Sequence, residues 1–325
     1  PDLSMAVYTE VDDSDLIDFL ASYSIGKLLS CKGIAEGVEN SNYFLHTESG
    51  HFILTLYEKR VEERELPFFL SLMEHLAASG LSCPQPVKNK AGEALGRLAA
   101  RPAAIVTFLD GYAIHHPESK HCAGLGEALA RLHLASADFK MKRKNTLSIN
   151  AWRPLFSPYA ERASEISEEL SDFVEKELNL LEQNWPDNLP TGIIHADLFP
   201  DNVFFIGNRI SGFIDFYFAC FDALAYDLAI CVNAWCFDSN QRFQPESCAA
   251  MISAYQSVRK LTENEIRAFP WLVRGAAMRF LLTRFVDWLN VPKGALVRPK
   301  DPREYLAKLR FHQTMISFKD YGLSS

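Results

Sequence analysis

Residues 193–217 constrain this chain more than any other stretch. They read Ile-Ile-His195-Ala-Asp197-Leu-Phe-Pro-Asp-Asn202, then Val-Phe-Phe-Ile, Gly-Asn, Arg-Ile-Ser-Gly-Phe-Ile and Asp215-Phe-Tyr. Val203 to Ile206 and Ile210 to Ile214 are β-branched and aromatic runs, and Gly207-Asn208 between them is a turn signal. The segment therefore predicts a loop, a tight hairpin and a second acidic loop. A hairpin brings its entrance and exit together, so Asp197 and Asn202 on one side and Asp215 on the other are expected to converge. Three oxygen-bearing side chains on one spot suit phosphoryl transfer, where the protein mainly positions reactants and neutralises charge through metal ions. In that reading Asp197 accepts the proton of an attacking hydroxyl, while Asn202 and Asp215 hold Mg2+ against nucleotide phosphates.

His-x-Asp-x-x-x-x-Asn followed by an apolar hairpin and Asp resembles the catalytic segment of the protein-kinase-like superfamily. Asp215-Phe-Tyr stands where protein kinases have Asp-Phe-Gly, and His195-Ala-Asp197 is similar to the His-Gly-Asp of aminoglycoside and choline kinases. The resemblance points to the small-molecule branch. It implies an α+β, two-lobed fold with a small antiparallel β-sheet N-lobe carrying one helix and a larger, mainly α-helical C-lobe.

Composition narrows the class. A chain of 325 residues with 48% hydrophobic content has room for two lobes and ample core. The net charge of -8, from 41 acidic and 33 basic residues spread along the chain, offers no basic stripe for nucleic acid. No run reaches the roughly eighteen apolar residues of a membrane span, and no signal core follows the N-terminus. A cytoplasmic protein with a small-molecule partner is expected. The seven cysteines are odd in number and scattered, which fits reduced thiols, with Cys231 and Cys236 as packing residues.

Taken in order, Asp12-Asp13-Ser14 caps a short helix carrying Leu16 to Leu20. Strands are expected over 26–34, 42–46 and 51–56, an order that resembles the nucleotide-covering sheet of a kinase small lobe. Gly33 and Gly37 bound a loop whose backbone N–H groups could meet phosphate, or a plain hairpin loop. A helix over 62–78 admits Pro67 in its first turn, where N–H groups have no intrahelical partner. Glu65 there occupies the place of the kinase helix glutamate, or is a helix-start carboxylate favoured by the dipole. Strands near Val87, 95–99 and 103–109 lead to Asp110-Gly111, which resembles an adenine-holding hinge. The lobe boundary is expected there, giving an N-terminal nucleotide-binding lobe at 5–109 and a C-terminal catalytic lobe at 110–325, with Pro1 to Ser4 read as an addition ahead of Met5. Helices are then expected over 123–134, with His133 as a core histidine, and over 159–183, 222–236, 245–258, 262–290 and 302–320. Pro270 marks a break or a helix start.

Four stretches extend the resemblance to most of the chain, from about residue 5 to residue 320. These are Gly33 to Asn42, Phe52 to Glu58, His195 to Asn202, and Ser211 to Tyr217 with Asp227-Leu-Ala-Ile-Cys-Val-Asn233. They resemble the bacterial homoserine kinases of the aminoglycoside-phosphotransferase-like type. What that implies is ATP- and Mg2+-dependent phosphorylation of the L-homoserine side-chain hydroxyl, a step towards threonine, with His195 and Asp227 supporting the catalytic loop. Homoserine carries an ammonium and a carboxylate, so Asp222 and Arg279 or Arg284 are candidates to pair with them, or helix-surface residues. One departure stands out. The lysine that grips nucleotide phosphates in most relatives should sit where this chain has Thr55, and Lys32 is either the neighbouring cation that supplies that charge or an ordinary solvated residue. Other hydroxyl acceptors (an aminoglycoside, choline, methylthioribose or another amino alcohol) and a catalytically silent nucleotide-binding regulator remain as alternatives.

Overall fold

The computed structural model describes residues 9–34, 40–58, 62–291 and 299–322. The chain forms two compact units. The first holds the described residues up to Asp110 together with Gly212–Tyr217, and the second holds residues 111–211, 218–291 and 299–322. Gly37 lies outside the described residues.

The first unit is a five-stranded antiparallel sheet in the order β1-β2-β3-β5-β4 with two helices. Its strands are β1 (Leu28–Ile34), β2 (Asn40–Thr47), β3 (Gly50–Tyr57), β4 (Leu95–Leu98) and β5 (Arg101–Thr107). Successive side chains on a strand point to opposite faces. One face accordingly gathers Tyr43, Leu45, Leu54, Leu56 and Ile105, which pack with Leu16 and Leu20 of α1 (Asp13–Ala21). Asp12 caps α1, its carboxylate accepting from Ser14 N–H at 2.8 Å. The other face carries Asn42 and Thr55, aligned across β2 and β3, and Tyr57 two residues on. A 3-10 turn (Glu63–Glu65) leads into α2 (Leu66–Ala78) with Pro67 in its first turn, where the missing N–H costs little.

The second unit is mostly helical. α3 (Ser119–Ala135) lies against α7 (Pro245–Val258), so closely that a Cβ on Gly126 would fall 2.0 Å from the Met251 carbonyl oxygen. α6 (Leu224–Trp235) is buried around most of its circumference, which its near-continuous apolar sequence requires. It packs on α8 (Glu263–Leu289), and α8 packs on α9 (Pro302–His312). The remaining helices are α4 (Ile149–Phe156) and α5 (Leu170–Asn184). Short strands frame the acidic loops: β7 (Thr191–Ile194) pairs with β10 (Cys220–Ala223), and β6 (Tyr112–Ala113), β8 (Val203–Ile206) and β9 (Arg209–Phe213) form a three-stranded sheet.

Several sequence expectations are corrected. The helix expected over 159–183 splits into a 3-10 stretch (Ser157–Glu165) and α5. The gap falls where Glu165, Glu168 and Glu169 would stack like charges at helical spacing. α8 runs through Pro270 without a break, because Ala268, Phe269, Leu272 and Val273 around it are buried and their packing outweighs the lost hydrogen bond. Asp222 does not open a helix. It sits in β10 opposite Gly192, a long-range pairing that its local sequence does not signal. The helix expected over 302–320 stops at His312, and a separate 3-10 turn (Phe318–Tyr321), capped by Ser317, follows. Gly33 lies within β1 opposite Tyr43, not in a loop.

Candidate active site

β7 delivers the chain into the acidic loop, where a buried carboxylate holds the backbone. Asp227, in the first turn of α6, accepts from His195 N–H at 2.8 Å and from Ala196 N–H at 2.9 Å. Ala196 has φ +64, a left-handed conformation costly for a residue with a Cβ unless the surroundings impose it. They do so from both sides, since Arg279 Nη1 donates to the Ala196 carbonyl at 2.7 Å. The Arg279 guanidinium is itself buried, lying over the rings of Phe218 and Phe280. Arg279 thus braces the loop backbone from within the core.

Asp227 is in turn tied to the helical core. His133 Nε2 lies 3.1 Å from its Oδ2, and His133 Nδ1 lies 2.8 Å from the Tyr255 hydroxyl. Arg259 bonds Tyr255 at 3.1 Å and Glu265 at 2.9 Å. Burial alone would raise the Asp227 pKa, but the hydrogen bond and charge of His133 and the backbone donors of the loop outweigh it and leave it lowered. The carboxylate stays ionised as an acceptor. The sequence marked His133 as a core residue, and its bond to Asp227, 94 residues away, had no local signal.

Within this frame Asp197 is half-buried, with its N–H directed at His195 Nδ1 at 3.3 Å. Phe199 N–H closes on the Asp197 carbonyl at 2.8 Å, and Trp235 Nε1 holds the Leu198 carbonyl at 2.7 Å. A 3-10 turn (Pro200–Asn202) then turns Asn202 back. Its Nδ2 donates to the Asp197 carbonyl at 2.8 Å and to Asp197 Oδ2 at 3.2 Å. With the NH2 so committed, the amide oxygen is the remaining polar atom of the Asn202 side chain.

β8, Gly207-Asn208 and β9 form the hairpin, and Gly207 has φ +61 as the turn demands. Asp215 follows, in the first unit, also left-handed at φ +59. Its side chain is solvent-accessible, yet the protein packed around it raises its pKa by desolvation, and a hydrogen bond from Tyr217 N–H partly opposes that. Thr55, at the position where the resemblance places lysine, is buried and donates to Asn42 Oδ1 at 2.8 Å. Lys32 is exposed in β1 opposite Phe44, two strands from β3. Glu65 is half-buried at the junction of the 3-10 turn and α2, not inside the helix.

Asp222 is half-buried, with Asn145 Nδ2 donating to its Oδ2 at 2.7 Å. Arg284 lines a cavity of about 370 Å3 within the second unit, together with Phe199, Pro200, Asp201, Lys300 and Glu304. Arg284 pairs with Glu304 at 2.6 Å and lies over the Tyr305 ring at 4.4 Å. Lys300 sits 5.0 Å from the centre of the Phe199 ring and 4.0 Å from Asp201, and is largely exposed. The Asp201 and Phe199 walls come from the same loop as Asp197.

An anchored Asp197 with Asn202 folded onto it, and a hairpin running to an acidic left-handed turn, define a phosphotransferase of the kinase-like class. Solved structures share the fold. An amicoumacin kinase in complex with AMP-PNP, Ca2+ and Ami superposes with a TM-score of 0.70 at 15% identity, over 95% of this chain and 97% of that one. A choline kinase from Cryptosporidium parvum does so with a TM-score of 0.67 at 15% identity, over 95% and 96% of the two chains. The chain belongs to the phosphotransferase enzyme family, whose family model matches residues 30–261. It is 60% identical to a protein named homoserine kinase from Rhodopseudomonas palustris (strain BisB5), over 99% of this chain and 98% of that protein. A homoserine kinase from Methylobacterium radiotolerans is 59% identical over 98% and 99% of the two chains.

Proposed function

We propose that this chain transfers the terminal phosphoryl group of ATP to the side-chain hydroxyl of L-homoserine. One observation carries the choice of acceptor: identity of about 60% over essentially the full length of several proteins named homoserine kinase. The geometry supports the chemistry. Asp197 is the accessible carboxylate of a loop whose backbone is pinned by Asp227 and Arg279. The acceptor hydroxyl attacks the terminal phosphorus, its proton passes to Asp197, and the bond from that phosphorus to the bridging oxygen of ADP breaks.

Among the described residues, no group of three or more His, Cys, Asp or Glu is arranged to hold a metal ion. The donors here suit an ion of another kind. The amide oxygen of Asn202 and the accessible carboxylate of Asp215 are each the kind of hard oxygen donor Mg2+ takes, one or two such protein oxygens being enough when phosphate and water complete its shell. When bound it would neutralise charge on the transferring phosphates. Asn202 meanwhile fixes Asp197 through its NH2, so one residue orients the base with one end and offers an oxygen with the other.

The acceptor site is the cavity beside Phe199. Lys300 supplies positive charge for the homoserine carboxylate and Asp201 negative charge for its ammonium, while Arg284, already paired with Glu304, completes the wall. A coupled assay for ADP release with L-homoserine, choline and kanamycin as acceptors tests the reading. We expect kcat/KM for L-homoserine to exceed the others by about a hundredfold or more, the discrimination that pairing both charged groups supplies. Equal rates across the panel would refute it.

A further inference from the structure

Thr55 and Tyr57 lie two residues apart on β3, so both side chains occupy the sheet face opposite α1, and Asn42 joins them from β2. Hydroxyls link across that face. Tyr57 OH and Tyr217 OH are 2.9 Å apart, Tyr217 OH is also within reach of Thr55, and Thr55 Oγ1 donates to Asn42 Oδ1 at 2.8 Å. The Asn42 oxygen can only accept, so one order of protons satisfies the whole chain: Tyr57 donates to Tyr217, Tyr217 to Thr55, and Thr55 to Asn42. The Tyr217 ring is fixed as well, edge-on to Tyr57 at 5.3 Å and to Phe69 at 5.6 Å. The same residue directs its backbone N–H at the Asp215 carboxylate.

We propose that Tyr217 is a positioning residue for Asp215, anchoring the left-handed acidic turn to β3 through its hydroxyl while its N–H orients the carboxylate. The proposal rests on the reading of Asp215 as the Mg2+-binding carboxylate. It explains why Asp215 holds φ +59 without being glycine: two residues later the chain is tied to the sheet by side chain and ring contacts, so the turn cannot relax. It also explains the buried neutral Thr55. That side chain ends a hydroxyl chain in which every donor has an acceptor, and it can receive the Tyr217 proton as a lysine could not.

Tyr217→Phe, Tyr57→Phe/Tyr217→Phe and Asp215→Ala separate positioning from mere stability. Two quantities are read on each: the thermal midpoint, and the ratio of ATP dissociation constants without and with Mg2+ by calorimetry. Tyr217→Phe removes the tether and leaves the buried Tyr57 hydroxyl without its partner, so it should lower both the midpoint and the Mg2+ enhancement. The expected loss of enhancement is about three- to tenfold, the scale of one or two neutral hydrogen bonds. The double variant has no orphaned hydroxyl, so its midpoint should recover while the Mg2+ enhancement stays low. Asp215→Ala should abolish the enhancement. Recovery of the enhancement together with the midpoint in the double variant would overturn the proposal. An unchanged ratio in Tyr217→Phe beside a lost one in Asp215→Ala would do the same while leaving the metal role intact. An unchanged ratio in Asp215→Ala would refute the metal role itself, and the proposal with it.

Discussion

Replacing Asp227 by Asn tests how the catalytic loop is held. The carboxylate accepts from three donors, His195 N–H, Ala196 N–H and His133, at 2.8, 2.9 and 3.1 Å. An amide has one accepting oxygen, so whichever way it is turned its NH2 faces a backbone N–H. One charge-assisted bond is lost, worth about 1.5–3 kcal/mol, and one buried donor is left unpaired at a cost of about 1–3 kcal/mol. Together the change should destabilise the fold by about 3–5 kcal/mol, the range for breaking a buried charged interaction. For a chain of this size that is a fall of about 5–10 °C in thermal midpoint. The left-handed Ala196 loses its N-terminal anchor, so kcat should drop by about tenfold or more even at temperatures where the variant is folded. The pH dependence follows from the lowered pKa. The Asp227 contribution is fully present above the ordinary carboxylate value of 3.8 and is lost as pH falls through the lower folded value. Differential scanning calorimetry with steady-state rates is the assay. A variant that melts within about 2 °C of the native protein and keeps its kcat would refute the bracing role.

Two further outcomes are expected. His312 is buried between Tyr321 and Asn233, and burial lowers its pKa from 6.5 to about 3. Protons then bind the unfolded chain first, so stability should fall as pH drops from 6.5 towards 3, and denaturant titrations of His312→Gln should show a shallower slope over that window. Thr55→Ala removes a neutral hydroxyl already committed to Asn42 Oδ1, so kcat should fall by less than about tenfold, under about 1.4 kcal/mol of transition-state stabilisation. A thousandfold loss would show a direct catalytic part for that hydroxyl.

What was legible in the sequence was local. The hairpin from Val203 to Phe213 follows from two β-branched, aromatic runs around Gly207-Asn208, and α7 begins and ends where Pro245 and the end of its apolar pattern place it. The approach of Asn202 to Asp197 was legible because their spacing is short. The remainder depends on partners far along the chain. Asp222 reads as a helix start until Gly192 pairs with it. Nothing local to Arg279 signals its bond to the Ala196 carbonyl, 83 residues away. Tyr217 meets Tyr57 across 160 residues, and nothing in Asp-Phe-Tyr announces that the third residue does more than follow the aspartate. Pro270 misleads for the opposite reason, since a local penalty is outweighed by burial on both sides of it.

In the proposed mechanism Asp197 takes the proton of the acceptor while Asp215 serves the metal and nucleotide. Asp197→Asn preserves shape and the contact with Asn202 but removes the proton acceptor. Single-turnover phosphorylation of L-homoserine, paired with calorimetric titration of Mg-ATP, therefore tests the claim most directly. The rate should fall by about a hundredfold or more, with the ATP dissociation constant unchanged to within about twofold. An Asp197→Asn protein that keeps its rate, or that loses nucleotide binding while Asp215→Ala retains it, would contradict the assignment.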